Sequence, residues 1–339
     1  MPELRQNFMT KEWVVIATER AKRPDQMAVK RPAKPQVSFS PNCPFCPGHE
    51  AQTPPEIMRL RNGNGSDWKA RVVPNKFAAL SPECKPERKI RRSLRVLAGF
   101  GVHDVIVETT DHSLAMALMP DAHVADILRI YKMRHDALSL DPRIAQVTIF
   151  KNYGMDAGTS LEHPHSQLIA TPVISHQVRE RFQEALRHYD DFGCCIFCQT
   201  IEEELQEQVR VVLESEHFVA IQLFASPSPF FTHIYPRRHM ASFGDISANE
   251  IADLGRVLRT LLAKIYYGLE NPDFNFTIRT APSECVGVRY FHWYLSIIPR
   301  LTRTAGFELG SGMFINTVIP EEAADFLRNV KVDTAVGVS

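Results

Sequence analysis

The chain has 339 residues, 44% hydrophobic and 23% charged, with 39 Lys and Arg against 39 Asp and Glu. That length fits two domains or one large α/β unit, and the apolar fraction supports a packed core, which excludes a disordered chain. A zero net charge gives no electrostatic footprint for nucleic acid or an anionic membrane, while a local basic pocket for a small phosphate compound stays open.

In chain order, residues 1–26 hold no long apolar segment and no small-residue cleavage site. No later run approaches the ~18 apolar residues of a membrane span, so a cytoplasmic protein is expected. "EWVVIATE" (12–19) reads as a strand. The basic "ERAKRP" (19–24) leads into a proline-rich connector, 24–44, which ends at "CPFC" (43–46). "ARVVPNKFAAL" (70–80) is a short strand and turn, and "GVHDVIVETTDHS" (101–113) is a β-rich run ending in a loop at His112. Val124, Ile127, Leu128 and Tyr131 have helical spacing and predict a helix over 121–141. A strand, "AQVTIFKNYG" (145–154), a small-residue loop and the segment "LEHPHSQLIA" (161–170) follow. Beyond them come a second CxxC (Cys195 to Cys198), a strand at 217–225 and a strand over 230–240 that ends in a loop at His239. A long helix at 249–269, a strand at 274–282 and a strand at 290–300 with His292 inside it complete the series.

The order repeats: CxxC, strands with a loop histidine, helix, strand, strand with a histidine. His163 follows His112 by 51 residues and His292 follows His239 by 53; the helices share "VADIL" and "IADLG". This spacing predicts an internal duplication of a β-rich unit with a crossover helix, giving similar halves at 1–172 and 173–339 with the division near 172–190. In the alignment of halves His163 matches His292, His165 matches Tyr294 and Gln167 matches Ser296, so only the first half keeps a reactive-looking imidazole and amide.

The paired CxxC spacing in a reducing compartment reads as metal binding or redox chemistry rather than structural disulfides. Cys43, Cys46, His112 and His163 offer two thiolates and two imidazoles, the donor set and tetrahedral preference of zinc. Cys195, Cys198, His239 and His292 offer the same, with Cys194 competing with Cys195 and His233 with His239. Four protein ligands leave no open position, so both sites are expected to be structural. The competing reading is a pair of chance CxxC motifs with unrelated core histidines. Cys84 and Cys285 are expected to pack as free thiols.

If 163–167 is a strand, His163, His165 and Gln167 point to one face. A neutral His165 could attack phosphorus, with Gln167 donating its amide hydrogen to a phosphoryl oxygen. The alternatives are an HxH metal pair or a packed polar cluster. The loop "NYGMDAGTS" (152–160), with Gly158 and Ser160, could cradle phosphate through its backbone amides, or be an ordinary turn.

"HPHSQ" (163–167) resembles the HPHxQ signature of the galactose-1-phosphate uridylyltransferase family, a branch of the histidine triad superfamily. The resemblance covers nearly the whole chain and includes "ERAKRP", "CPFCPG", "VVPNKFAAL", "TTDHS", "FKNYG", "HWYLSIIP" and "GFELGSGMFIN". It implies an α+β fold of two histidine-triad-like halves, each an antiparallel sheet with packed helices. It implies a ping-pong nucleotidyltransferase in which His165 forms a covalent nucleotidyl-histidine, Gln167 holds the α-phosphate, and Ser160 and Asn152 are phosphate contacts. Asn75 matches a nucleotide-contacting asparagine, and Arg20 and Arg23 match basic residues near the acceptor phosphate. Phe307 and Glu308 fall where the family contacts hexose hydroxyls. A homodimer is implied too.

UDP-glucose with a hexose 1-phosphate is the leading substrate pair. The Cys195/Cys198 pattern departs from uridylyltransferases that hold their second metal with Glu and His, so the second metal is expected to be zinc or iron. That pattern also resembles ADP-glucose phosphorylase members, and adenylylsulfate:phosphate adenylyltransferases are near relatives, so adenylyl transfer to phosphate is the alternative. A zinc-containing nucleotide-binding module without catalysis is the second alternative. It predicts tight nucleotide binding without exchange.

Overall fold

The computed structural model describes residues 1–17, 37–62 and 68–332. Its centre is one ten-stranded antiparallel sheet. The first side contributes Met58–Arg61 (β3), Trp68–Pro74 (β4), Val102–Val107 (β7), Gln146–Tyr153 (β8) and His165–Thr171 (β9). The second contributes Val211–Glu214 (β10), Phe218–Gln222 (β11), Thr232–Pro236 (β12), Phe274–Arg279 (β13) and Tyr294–Pro299 (β14). The order is β10-β11-β12-β14-β13-β8-β9-β7-β4-β3. Outward from the central β8·β13 pair, both sides place their fourth, fifth, third, second and first strands. The fold is α+β, as expected.

The predicted helices form as Asp121–Ser139 (α1) and Ala248–Gly268 (α4), each between the third and fourth strand of its side. Their apolar stripes, with Val124, Leu128, Leu254, Leu258 and Leu261 fully buried, cover one face of the sheet. The two helices cross closely at Gly255, where an added Cβ would lie 2.8 Å from the Ala125 nitrogen. Pro320–Asn329 (α6) completes this layer.

The opposite face is covered unequally. On the second side His176–Phe192 (α2) and Ile196–Glu207 (α3) contribute Ala185, Ile196, Phe197 and Ile201 to an apolar cluster with Val219, Ile221 and Tyr235 of the sheet. On the first side, among the described residues, the 43–46 knuckle and Leu161 close over Trp68, Val73, Val105 and Val107. Between these covers Phe150, Gln167 and Ile169 stay half-buried.

Glu3–Gln6 (β1), Trp13–Ile16 (β2) and Phe314–Asn316 (β15) form a separate small sheet, and Arg5 pairs with Glu321 at 2.9 Å. Arg88–Arg91 (β5) and Leu94–Leu97 (β6) form an exposed hairpin, and Gly306–Ser311 (α5) is a short exposed helix. No helix among the described residues is long and apolar enough to cross a membrane.

Two predicted placements are corrected. His163 lies in the bend before β9, not on a strand, and His292 lies before β14 rather than inside it. Each histidine stands two residues ahead of its strand. The backbone there turns a side chain into the cysteine knuckle, which a ladder position would not allow.

Candidate active site and metal centres

Cys43 and Cys46 sit in a tight turn closed by a Cys46 N–H to Cys43 carbonyl hydrogen bond. His112 follows β7 and His163 precedes β9, and the four ligand atoms lie within 4.8 Å of one another. Cys46 Sγ is 3.5 Å from His112 Nδ1 and 3.7 Å from His163 Nδ1, and Cys43 Sγ is 3.7 Å from His163 Nδ1. A tetrahedral zinc, with bonds of ~2.3 Å to sulfur and ~2.0–2.1 Å to nitrogen, sets such S···N pairs about 3.6 Å apart. His163 donates Nε2–H to the Thr109 carbonyl at 2.8 Å, which fixes Nδ1 as the free lone pair. Burial lowers the His163 pKa to about 4, so the ring is neutral and ready to ligate.

Cys195 caps α3, Cys198 lies in its first turn, His239 follows β12 and His292 precedes β14, again within 4.8 Å. Cys198 Sγ is 3.3 Å from His239 Nδ1 and 3.5 Å from His292 Nδ1, and His239 Nε2–H donates to the Val288 carbonyl at 3.0 Å. The Cys198 thiol and the His239 and His292 rings beside it hold the Cys195 pKa down, while Cys195 raises that of Cys198. The structure resolves both sequence ambiguities: Cys194 is exposed, and His233 is buried on β12 with its ring 2.6 Å from the Tyr235 hydroxyl.

His165 opens β9 on the less covered face. Its Nδ1 is 2.8 Å from the His163 carbonyl, which places the proton on Nδ1 and leaves Nε2 as the lone-pair nitrogen. Burial lowers its pKa, the His163 carbonyl opposes this, and Lys151 lowers it further. Two residues on, Gln167 lies on the same face, with Oε1 2.9 Å from His103 Nε2. The Ala79 N–H donates to His103 Nδ1 at 3.1 Å, so the neutral ring carries its proton on Nε2 and donates it to Gln167. The Gln167 amide hydrogens are thereby turned away from His103. Asn75, its Oδ1 held by the Phe77 N–H, brings Nδ2 to 3.1 Å from the same His103 nitrogen. Sequence reasoning missed His103: the residue reads as one more strand position, and only the pairing of β7 with β9 brings it near Gln167.

The β8–β9 register, continued two residues beyond Phe150↔Gln167, sets Asn152 beside His165. Asn152 accepts from Asn275 Nδ2 at 2.8 Å. The loop after it turns at Gly154, φ +86°, where a Cβ would strike the Asp273 carboxylate at 1.9 Å, and at Gly158, φ +87°. Ser160 is exposed in this loop. Phe307 is exposed on α5, where Glu308 accepts the Ala305 N–H at 3.0 Å and so caps its own helix. Arg20 and Arg23 lie outside the described residues. Cys84 and Cys285 pack at the margins of the two larger apolar clusters.

Behind β9, on the helix face, lies a fully buried polar group. Lys151 Nζ is 2.5 Å from Glu108 Oε2 and donates to the His165 carbonyl at 3.0 Å. Ser166 and Tyr131 donate to the other Glu108 oxygen. Removing one partner of a buried ion pair strands the other. Lys151→Met is therefore expected to destabilise the chain by about 3–5 kcal/mol in urea unfolding; a change under about 1 kcal/mol would mean that this pair supports little.

Comparison with known proteins agrees with this geometry. The profile of the galactose-1-phosphate uridyl transferase N-terminal domain matches residues 1–175. A second profile, described only as a domain of unknown function, matches residues 95–333. ADP-glucose phosphorylase of Arabidopsis thaliana is 35% identical over 335 residues, covering 98% of this chain and 93% of that protein. Galactose-1-phosphate uridylyltransferase of Thermotoga maritima is 30% identical over 343 residues, covering 98% and 100%. The crystal structure of the Arabidopsis ADP-glucose phosphorylase with bound ADP-glucose superposes with a TM-score of 0.84 at 34% identity, covering 98% of this chain and 99% of that one.

Proposed function

Because the chain belongs to the galactose-1-phosphate uridyl transferase family, we propose that it transfers a nucleoside monophosphate through a covalent bond to His165 Nε2. The observation that carries this reading is the His165 ring: Nδ1 bound to the His163 carbonyl, Nε2 without a hydrogen-bond partner among the described residues, and the Gln167 amide beside it on the same face.

In the first half-reaction Nε2 attacks the α-phosphorus of a nucleoside diphosphate hexose. The P–O bond to the β-phosphate breaks and hexose 1-phosphate leaves. In the second, a phosphate oxygen of the acceptor attacks the nucleotidyl-histidine and frees the ring. Gln167 stabilises the phosphoryl oxygens, and Ser160, Gly158 and Asn152 contribute phosphate contacts from the 152–160 loop. Asn75 contacts the nucleotide. Arg20, Arg23, Phe307 and Glu308 act on the acceptor side. The two Cys₂His₂ clusters hold zinc as structural metal, with iron the other candidate for the second. Catalysis falls to residues 1–172, and the second metal with the acceptor-side contacts to 173–339, in a cytoplasmic homodimer.

Two donor pairs compete. ADP-glucose with inorganic phosphate is favoured by the 35% relative and the 0.84 superposition. UDP-glucose with hexose 1-phosphate is favoured by the N-terminal profile and the Thermotoga relative. Isotope exchange decides between them. The protein is incubated with UDP-glucose and labelled glucose 1-phosphate, or with ADP-glucose and the same label. Exchange with one donor alone identifies the base. No exchange with either, from zinc-replete folded protein, removes the covalent mechanism for these donors.

His103 is a positioning residue in this reading. His103→Ala frees the Gln167 amide to rotate, and exchange is expected to slow by about 10- to 100-fold with little change in unfolding midpoint. An unchanged rate would mean that Gln167 is held without it.

A further inference from the structure

The second side of the sheet carries a polar cleft where the first carries His165. Tyr294 opens β14 as His165 opens β9, and Arg279 is its partner in register. Arg181 reaches the same place from α2. The cleft is small, and its polar lining includes Gln146, Thr148, Thr280 and Tyr294 beside the two arginines. It lies four residues along β8 from Asn152, about 13 Å from the His165 level at a strand rise of ~3.3 Å per residue.

Its charge is only partly balanced: the Glu12 carboxylate acts on Arg279 from beyond ion-pair distance. Neither Arg181 nor Arg279 has a carboxylate within ion-pair distance among the described residues, and Arg181 Nε and Nη1 are buried with no hydrogen-bond partner. Arg279 Nη1 reaches only the neutral Gln177 side chain, at 3.3 Å. Their joint field is felt nearby: burial holds His233 well below its usual pKa, and the two guanidinium charges lower it further. Gln146 Oε1, a buried acceptor, is also without a partner. Two unpaired guanidinium groups in a partly desolvated cleft are unfavourable alone and are relieved by an anion.

We propose that Arg181 and Arg279 form an anion-binding site for a phosphate-class oxyanion, on the same face of the sheet as His165 but about 13 Å along β8 from it. Each guanidinium fork matches two oxygens of a tetrahedral oxyanion. Gln146 Oε1 accepts the proton of a hydrogen phosphate, and the Thr148 hydroxyl lies beside the ion. The source is free phosphate or the phosphoryl end of a phosphate ester.

The test is calorimetric and thermal titration of the full chain with inorganic phosphate and, in a second arm, glucose 1-phosphate. Proteins compared are the natural chain, Arg181→Gln, Arg279→Gln, the charge-keeping Arg181→Lys, and Gln167→Ala. Phosphate is expected to raise the unfolding temperature of the natural chain by mass action. Each Gln variant is expected to weaken binding by about tenfold or more, the effect of losing one charge-assisted contact. The Gln variants are expected to fold at least as well as the natural chain in phosphate-free buffer, since an unpaired charge is removed. Arg181→Lys is expected to bind at intermediate strength, and Gln167→Ala to keep the arginine-dependent response. A response confined to inorganic phosphate assigns the cleft to the free ion; the same arginine-dependent response to glucose 1-phosphate assigns it to esters. No phosphate response in the natural chain, or one that the arginine changes leave intact, overturns the proposal.

Discussion

His165→Ala is expected to remove exchange and covalent labelling by donor nucleotide, with a rate loss of at least about 10⁴-fold, while the unfolding midpoint stays close to that of the natural chain. The size follows from the role. Without the imidazole, water or the acceptor must attack the donor directly, and the two-step route is lost. The small effect on stability follows from its contacts: its only side-chain hydrogen bond among those described is the local one to the His163 carbonyl, two residues away. Protein labelled with the nucleotide and mapped by peptide mass spectrometry checks the site. Label that persists in His165→Ala would move the nucleophile elsewhere.

The same residue sets a pH dependence. Burial lowers its pKa, so Nε2 keeps its lone pair below the ~6.5 of free imidazole. Exchange is expected to stay level as pH falls to about 6.5 and to fail only at more acid values. Stability moves in the same direction. The unfolded chain binds the proton first as pH falls, so the neutral ring's contribution is complete above about 6.5 and is lost as pH drops through the folded pKa. An acid limb for exchange centred above 7 would contradict a buried neutral nucleophile.

Local signals made part of this legible before any coordinates. The spacing of Val124, Ile127, Leu128 and Tyr131 was enough for α1, and the two CxxC motifs with their distant histidines were enough for both metal clusters. The shared face of His165 and Gln167 follows from strand alternation, although His163 lies in the bend two residues ahead of the strand rather than on it. Helix α2 went unread because its polar surface hides the apolar stripe, even though Ser175 caps its start through the Val178 N–H and Gly193, φ +73°, ends it. His103 and the Lys151–Glu108 pair had no local signal at all. Their partners come from strands 43 to 64 residues away, and a register between strands is a tertiary fact. The pairing of β2 with β15, which ties residues 13–16 to 314–316, is hidden for the same reason.

Loss of the first metal should be the more damaging of the two metal losses, and the reason lies in one carbonyl. The Cys43–Cys46–His112–His163 cluster joins three separate pieces of chain: the 43–46 turn, the bend after β7 and the bend before β9. His163 contributes its ring to that cluster and its carbonyl to His165 Nδ1. Releasing the ring releases the acceptor that holds His165, the proposed nucleophile, in its tautomer and orientation. Cys46→Ser is therefore expected to cost at least about 3 kcal/mol of stability, a fraction of the binding free energy of a structural zinc, and to reduce exchange by about 100-fold or more. The second cluster anchors α3 and the loop after β12 over the apolar cluster of the other half, and no residue of it touches His165 among the described contacts. Cys198→Ser is accordingly expected to lose comparable stability but to keep most of its exchange rate per folded molecule. Metal analysis should give two ions per natural chain and one for either variant. Equal losses of exchange in the two variants would show that the carbonyl of His163 does not set the nucleophile, and an unchanged metal count in Cys46→Ser would remove the ligand assignment itself.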